Sequence, residues 1–166
     1  MGSVIAKKMF EGDKISPDSL TIIDKRLSSQ EPCVHFNNAT IFSDISNLDK
    51  SYKADIIFLC IKPQDSEDIL QQLVNCNNFS SQTIFISIIA GKKIEFFNNI
   101  LGSDAKIIRT MPNLVIENSL GIMPYLANDK VSKYDLEKIL ELFTGFGAVF
   151  DTKKEDSFDI LTAIFG

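Results

Sequence analysis

Two short, almost purely apolar runs set the tightest limit on what this chain can fold into. Ile56 to Ile61 holds six apolar residues between Asp55 and Lys62-Pro63. Ile84 to Ala90 is a second such run, interrupted by Ser87 and ended by Gly91. Neither alternates with polar residues. A strand with one face in water alternates, so these runs predict strands covered on both faces, as in a parallel sheet. They also fall far short of the roughly 20 apolar residues that a membrane-spanning helix needs.

The residues between the two runs predict a helix. Asp65 stands where a cap belongs, Glu67 and Asp68 follow in the first turn, and Ile69, Leu70, Leu73 and Val74 form one apolar stripe. A helix over 92–101 and a strand over Lys106–Met111 come next. Upstream, Met1 to Glu11 reads as a helix stopped by Gly12, Leu20 to Ile23 as a strand, and 33–42 as a segment holding one more. Downstream lie a strand near 120–126 and a helix marked by Leu136, Ile139, Leu140 and Phe143. A short strand at Ala148–Phe150 and a helix over Asp156–Phe165 follow. This alternation predicts an α/β, Rossmann-like, mostly parallel sheet with helices on both faces. No linker or repeat divides the chain, so residues 1–166 read as one domain.

Composition removes several functions. A net charge of −5 argues against a nucleic-acid surface, and Lys7-Lys8 and Lys153-Lys154 read as solvated faces. His35 is the single histidine and has no Ser–Asp pair nearby, which argues against a hydrolytic triad. No His or Cys cluster offers metal-ligand spacing, so no metal ligand is assigned. Cys33, Cys60 and Cys76 lack C-x-x-C spacing and no secretory signal precedes them, so a reducing cytoplasm is expected.

Parallel sheets bind ligands beyond the carboxyl ends of their strands. Four turns stand there: Asp24-Lys25-Arg26, Ile61-Lys62-Pro63, Ala90-Gly91 and Met111-Pro112-Asn113. Lys62 reads equally as a charge facing a ligand and as a surface lysine before a helix-starting proline. Asp24 lies 22 residues after Gly2. In dinucleotide-binding folds an acid about 20 residues past the glycine-rich turn bonds the ribose hydroxyl, although only Gly2 could belong to such a turn here. Gly145-Phe146-Gly147 precedes a strand-like run and does not read as a phosphate loop.

In order along the chain, these blocks resemble pyrroline-5-carboxylate reductase, a family that reduces a cyclic imine with NADPH or NADH to make proline. Ala54-Asp55-Ile56-Ile57-Phe58-Leu59-Cys60-Ile61-Lys62-Pro63 is similar to the family's strand ending in Lys-Pro. Ser87-Ile88-Ile89-Ala90-Gly91 is similar to its S-x-x-A-G, and Arg109-Thr110-Met111-Pro112-Asn113 to its R-x-M-P-N. Met1 to Ala6 resembles the tail of its glycine-rich opening. Asn47 precedes Lys62 by fifteen residues, the interval at which the family places an asparagine near the adenosine ribose.

The resemblance implies that Ile61, Lys62, Pro63, Ala90, Gly91, Met111 and Asn113 hold the nicotinamide end of NADP or NAD. Gly2, Asp24, Lys25, Arg26 and Asn47 would hold the phosphates and adenosine. Arg26 favours a 2′-phosphate and Asp24 opposes it, and the balance leans slightly to NADPH. The implied substrate is 1-pyrroline-5-carboxylate, with room for a homo-oligomer and no membrane or nucleic-acid partner. No catalytic residue is assigned. The chain departs from the family at Leu114-Val115, where the family has Thr-Pro. The family's first strand and its helical dimerisation and substrate domain are expected to lie outside this chain. On that expectation the chain alone binds cofactor poorly and does not turn over substrate. The alternatives are an inactive remnant of a split reductase gene and a non-catalytic dinucleotide-binding module.

Overall fold

The computed structural model describes residues 1–25 and 39–165. Arg26, Cys33, His35 and most of the 33–42 segment lie outside the described residues. Helix α1 (Gly2–Glu11) leads to strands β1 (Thr21–Ile23) and β2 (Thr40–Phe42). Then come β3 (Ala54–Leu59), α2 (Ser66–Cys76), β4 (Phe79–Ser87), α3 (Ile94–Leu101) and β5 (Lys106–Thr110). The rest is β6 (Gly121–Ala127), α4 (Lys133–Leu142), β7 (Gly147–Asp151) and α5 (Ser157–Phe165). None of these helices is long and apolar enough to cross a membrane.

β1 and β2 form a parallel pair, and the other strands form one sheet in the order β3-β4-β5-β6-β7. β3, β4 and β5 are parallel, as the apolar runs predict. Each of these runs feeds two cores, which is why neither alternates. Ile84, Ile86 and Ile108 pack beneath α1 and α4 with Ile5, Met9, Ile139 and Phe143. Leu59, Phe85 and Ile107 pack on the other face with Leu70 and Leu73 of α2 and Phe97 of α3. The domain is thus a doubly covered α/β sheet.

Several local expectations change. β6 runs antiparallel to β5. Only residues 111–120 join them, shorter than the dozen or more a parallel crossover requires. β4 begins at Phe79, ahead of its apolar run, because Phe79 pairs with Ala54 across a register shift. The Thr83 hydroxyl secures that step, donating to the Ala54 carbonyl at 2.6 Å and accepting from the Ser80 amide at 2.9 Å. Asp65 precedes α2 but its side chain makes no capping bond. Instead the Ser66 hydroxyl closes the turn on the Pro63 carbonyl at 2.6 Å. Nor are Lys7 and Lys8 simply solvated: Lys8 donates to the Ser119 hydroxyl at 2.8 Å, and Lys7 lies 3.8 Å from Glu117. Together they tie α1 to the turn between β5 and β6.

The Gly145-Phe146-Gly147 segment serves packing. Phe146 is fully buried, and Gly147 enters β7 at a φ of +122°, where a Cβ would stand 2.1 Å from the Gly121 carbonyl oxygen. Gly145 also has a positive φ, +93°, but nothing lies within 4 Å of its Cβ position. Gly145→Ala is therefore expected to cost about 1–2 kcal/mol from backbone strain alone. Gly147→Ala must also push two backbones apart and is expected to cost more than about 3 kcal/mol. Urea unfolding of both variants measures this, and equal losses would refute the packing account.

Candidate functional site

Parallel registry decides where the strand ends fall. Leu59, Ser87 and Arg109 stand side by side across β3, β4 and β5. The turns 61–63, 90–91 and 111–113 therefore leave the sheet along one rim. α1 joins them by its first residue, since a Cβ on Gly2 would lie 3.0 Å from the Cβ of Cys60. A short 3₁₀ turn, Ile45–Asn47, follows β2, and Ile45 packs with Leu59 and Leu70. This brings Asn47 to the same end of the molecule. Gly2, Asn47, Lys62, Gly91 and Asn113 are thus gathered on one rim, although the chain separates them by up to 111 residues.

Each turn has its own local cause. Lys62 is extended and exposed, and its carbonyl accepts from the Asp65 amide at 3.1 Å. Pro63 follows as the first residue of a 3₁₀ turn, where its missing N–H costs nothing. Ile61 turns inward against the α2–α3 core. After β4, Ala90 is half-buried and Gly91 is exposed at a φ of +70°. Since nothing stands within 4 Å of its Cβ position, glycine is favoured there by backbone angle and not by crowding. Met111 donates its amide to the Pro124 carbonyl at 3.3 Å. Asn113 is stapled to β6 twice: its amide donates to the Ile122 carbonyl at 3.3 Å, and its Oδ1 accepts from the Ile122 amide at 3.1 Å. The Nδ2 group of Asn113 is left as the donor end of that side chain.

At the far part of the rim, the Asp24 amide donates to the Phe42 carbonyl at 3.1 Å, and Lys25 is exposed. The Asp44 carboxyl sits below the ordinary carboxylate range. The Ser46 hydroxyl at 2.7 Å and its amide at 2.8 Å hold the charged form, with a smaller contribution from Lys25. Lys25 and Asp44 therefore share this corner. Arg26 lies outside the described residues.

Beside the Gly91 turn is an ion pair that the sequence did not single out. Arg109, 3% exposed, donates from Nη1 to Glu155 Oε1 at 2.7 Å, and its guanidinium lies 4.5 Å from the centre of the Phe158 ring. In the sequence Arg109 stands out only as the first residue of R-x-M-P-N. A lone arginine at the end of an apolar strand was the available signal that an acid must come to meet it. A separate cleft of about 410 Å³ lies between the end of α1, Ile56 near the start of β3, and α4. It is lined by Gly12, Lys14, Lys138 and Glu141, away from the strand ends.

A sequence profile described as NADP oxidoreductase, coenzyme F420-dependent, matches residues 1–91, more than half of the chain. The chain belongs to this family. Within it, the chain is 30% identical over 153 residues to pyrroline-5-carboxylate reductase of Aquifex aeolicus, covering 92% of this chain and 54% of that protein. A crystal structure of Plasmodium falciparum pyrroline carboxylate reductase with NADP bound superposes with a TM-score of 0.81 at 25% identity. That match covers all of this chain and 58% of the other. Prephenate dehydrogenase of Aquifex aeolicus, at 15% identity and a TM-score of 0.77, shares the fold. The chain spans about half the length of the curated relatives it matches. Its Rossmann-like fold is the family's, of the type that binds NAD(P).

Cys60 reports on the rim from inside. Burial against α1 pushes its thiol up to about 11, above the ordinary 9.0. A raised folded value means that this group favours folding below about pH 9 and loses that contribution as pH rises toward 11. Iodoacetamide at pH 8 is expected to alkylate Cys60, half-buried and held as the thiol, far more slowly in the folded chain than in urea. Peptide mass mapping decides this, and rapid native alkylation would place Cys60 outside the packed rim.

Proposed function

We propose that this chain forms the NAD(P)-binding part of a pyrroline-5-carboxylate reductase. The observation that carries the reading is the shared register line of β3, β4 and β5, which sets Lys62-Pro63, Ala90-Gly91 and Met111-Asn113 beside the N-terminus of α1. The named relatives supply the reaction class.

The residues present suit a dinucleotide. The first turn of α1 carries no side-chain cap, so its amide donors can meet a phosphate. Gly91 presents bare backbone into open space, where a flat ring can approach. The Asn113 Nδ2 donates toward the nicotinamide ribose, while Oδ1 stays on Ile122 and fixes the amide's orientation. Lys62 adds a positive charge next to Pro63, whose ring keeps that turn short of backbone donors. Asn47, Asp24 and Lys25 stand at the adenosine end. When bound, the reduced nicotinamide supplies a hydride to the imine carbon, and a proton reaches the imine nitrogen. The chain's own part is to bind and orient, which by itself lowers a barrier between two held reactants.

We further propose a preference for NADPH over NADH. Lys25 stands exposed past β1 and attracts a 2′-phosphate that Asp24 repels, and Arg26, next in sequence, adds a second positive charge to this stretch. Titrating the ¹⁵N-labelled chain with each cofactor tests both proposals. Amide shifts are expected at residues 2–4, at Ile61 and Lys62, at Ala90 and Gly91, and at Met111 and Asn113, with tighter binding for NADPH. Shifts confined to the cleft of Gly12, Lys14 and Lys138 would reject the site. A tenfold preference for NADH, about 1.4 kcal/mol, would reverse the cofactor assignment.

A further inference from the structure

We infer that Glu155 and Arg109 form a latch that sets the geometry of the Gly91 turn, and that Glu155 is thereby a positioning residue for the nicotinamide half of the cofactor. The inference rests on the cofactor reading above. One carboxylate oxygen, Glu155 Oε1, accepts from two groups at once. Arg109 Nη1 at the end of β5 lies 2.7 Å away, and the backbone amide of Ile94, the first residue of α3, lies 2.6 Å away. Only Lys92 and Lys93 separate Ile94 from Gly91. The amide that Glu155 holds is thus three residues from the exposed turn, and the oxygen that holds it is anchored on the neighbouring strand.

The supports of this latch are unequal. Arg109 has a side-chain exposure of 4%, its guanidinium rests on the Phe158 ring, and its strand is central in the sheet, so its position is fixed by packing. α3 is less constrained at its start: its N-cap residue, Lys93, makes no side-chain capping bond. Lys93 does reach Asp156 at 2.9 Å, but both partners of that pair are exposed, and exposed pairs hold weakly. Removing the Glu155 charge therefore frees the start of α3. Arg109 loses its anionic partner but keeps the Phe158 ring, and β5 keeps its pairing with β4 and β6 on either side. The adenosine end of the rim, at β1 and β2, shares no bond with the latch among those described. A change at Glu155 should be felt at the nicotinamide end alone.

The test uses this chain with Glu155→Gln, which keeps an acceptor of the same shape and removes the charge, and with Asp156→Asn as the control on the exposed pair. Amide hydrogen exchange at Ile94 is expected to accelerate at least tenfold in Glu155→Gln and to stay within twofold in Asp156→Asn. Affinity for NADPH is expected to fall about tenfold in Glu155→Gln, while affinity for 2′,5′-ADP, which lacks the nicotinamide half, is unchanged. Unaltered exchange at Ile94 would overturn the latch. Faster exchange with an unaltered ratio of the two affinities would overturn the positioning role and leave a purely structural pair. Both affinities are expected to be weak in this chain alone, so the change from the unmodified chain is what is read. If NADPH shifts no rim amide of the unmodified chain even at millimolar concentration, the cofactor reading fails and the positioning role with it, and the exchange data judge the latch.

Discussion

Parallel pairing of β3, β4 and β5 in one register is the constraint on which the remaining structure depends. Parallel strands cannot be joined by tight turns, so each must return through a connection across a face. α2 and α3 make those returns on one face, and α1 and α4 close the other. The stretch of sheet made by β3, β4 and β5 is covered on both sides as a result, and its strands meet solvent chiefly at their ends. Chemistry-bearing side chains accumulate there because the interior has no place for them.

Arg109 is the exception that reveals the rule. It is a guanidinium on a strand whose neighbours Ile107 and Ile108 are fully buried, and it is tolerated because Glu155 and Phe158 meet it. Burying such a charge without a partner costs several kcal/mol, so the loop before α5 is bound to the end of β5 by necessity. The same loop reaches Ile94 and Lys93, which makes the β7–α5 connection a support for the turn after β4. The turn after β5 is supported differently. Asn113 is bonded to Ile122 of β6, so the antiparallel reversal of the chain holds that part of the rim.

Much of this was legible in the residues. Ile56–Ile61 and Ile84–Ala90 marked two parallel strands because uninterrupted apolar runs suit a doubly buried position. Ile69, Leu70 and Leu73 marked the helix between them by spacing. The elements that escaped were held by polar interactions whose partners are distant in the chain. The polar start of β4 depends on Thr83 reaching Ala54, 29 residues back in the chain. Asp65 shows the converse: a good capping residue in the right place, superseded by a 3₁₀ turn that Pro63 begins.

The order of the central elements, the two-faced burial of β3, β4 and β5 and the turns that follow these three strands were legible in the sequence alone, because burial and backbone preference act on neighbouring residues. Tertiary structure alone decided the direction of β6, the pairing of Arg109 with Glu155 across 46 residues, and the meeting of Gly2 with Cys60 at the rim. These depend on which strand lies beside which and in what register. Such relations join residues far apart in the chain, and no local pattern of side chains encodes them.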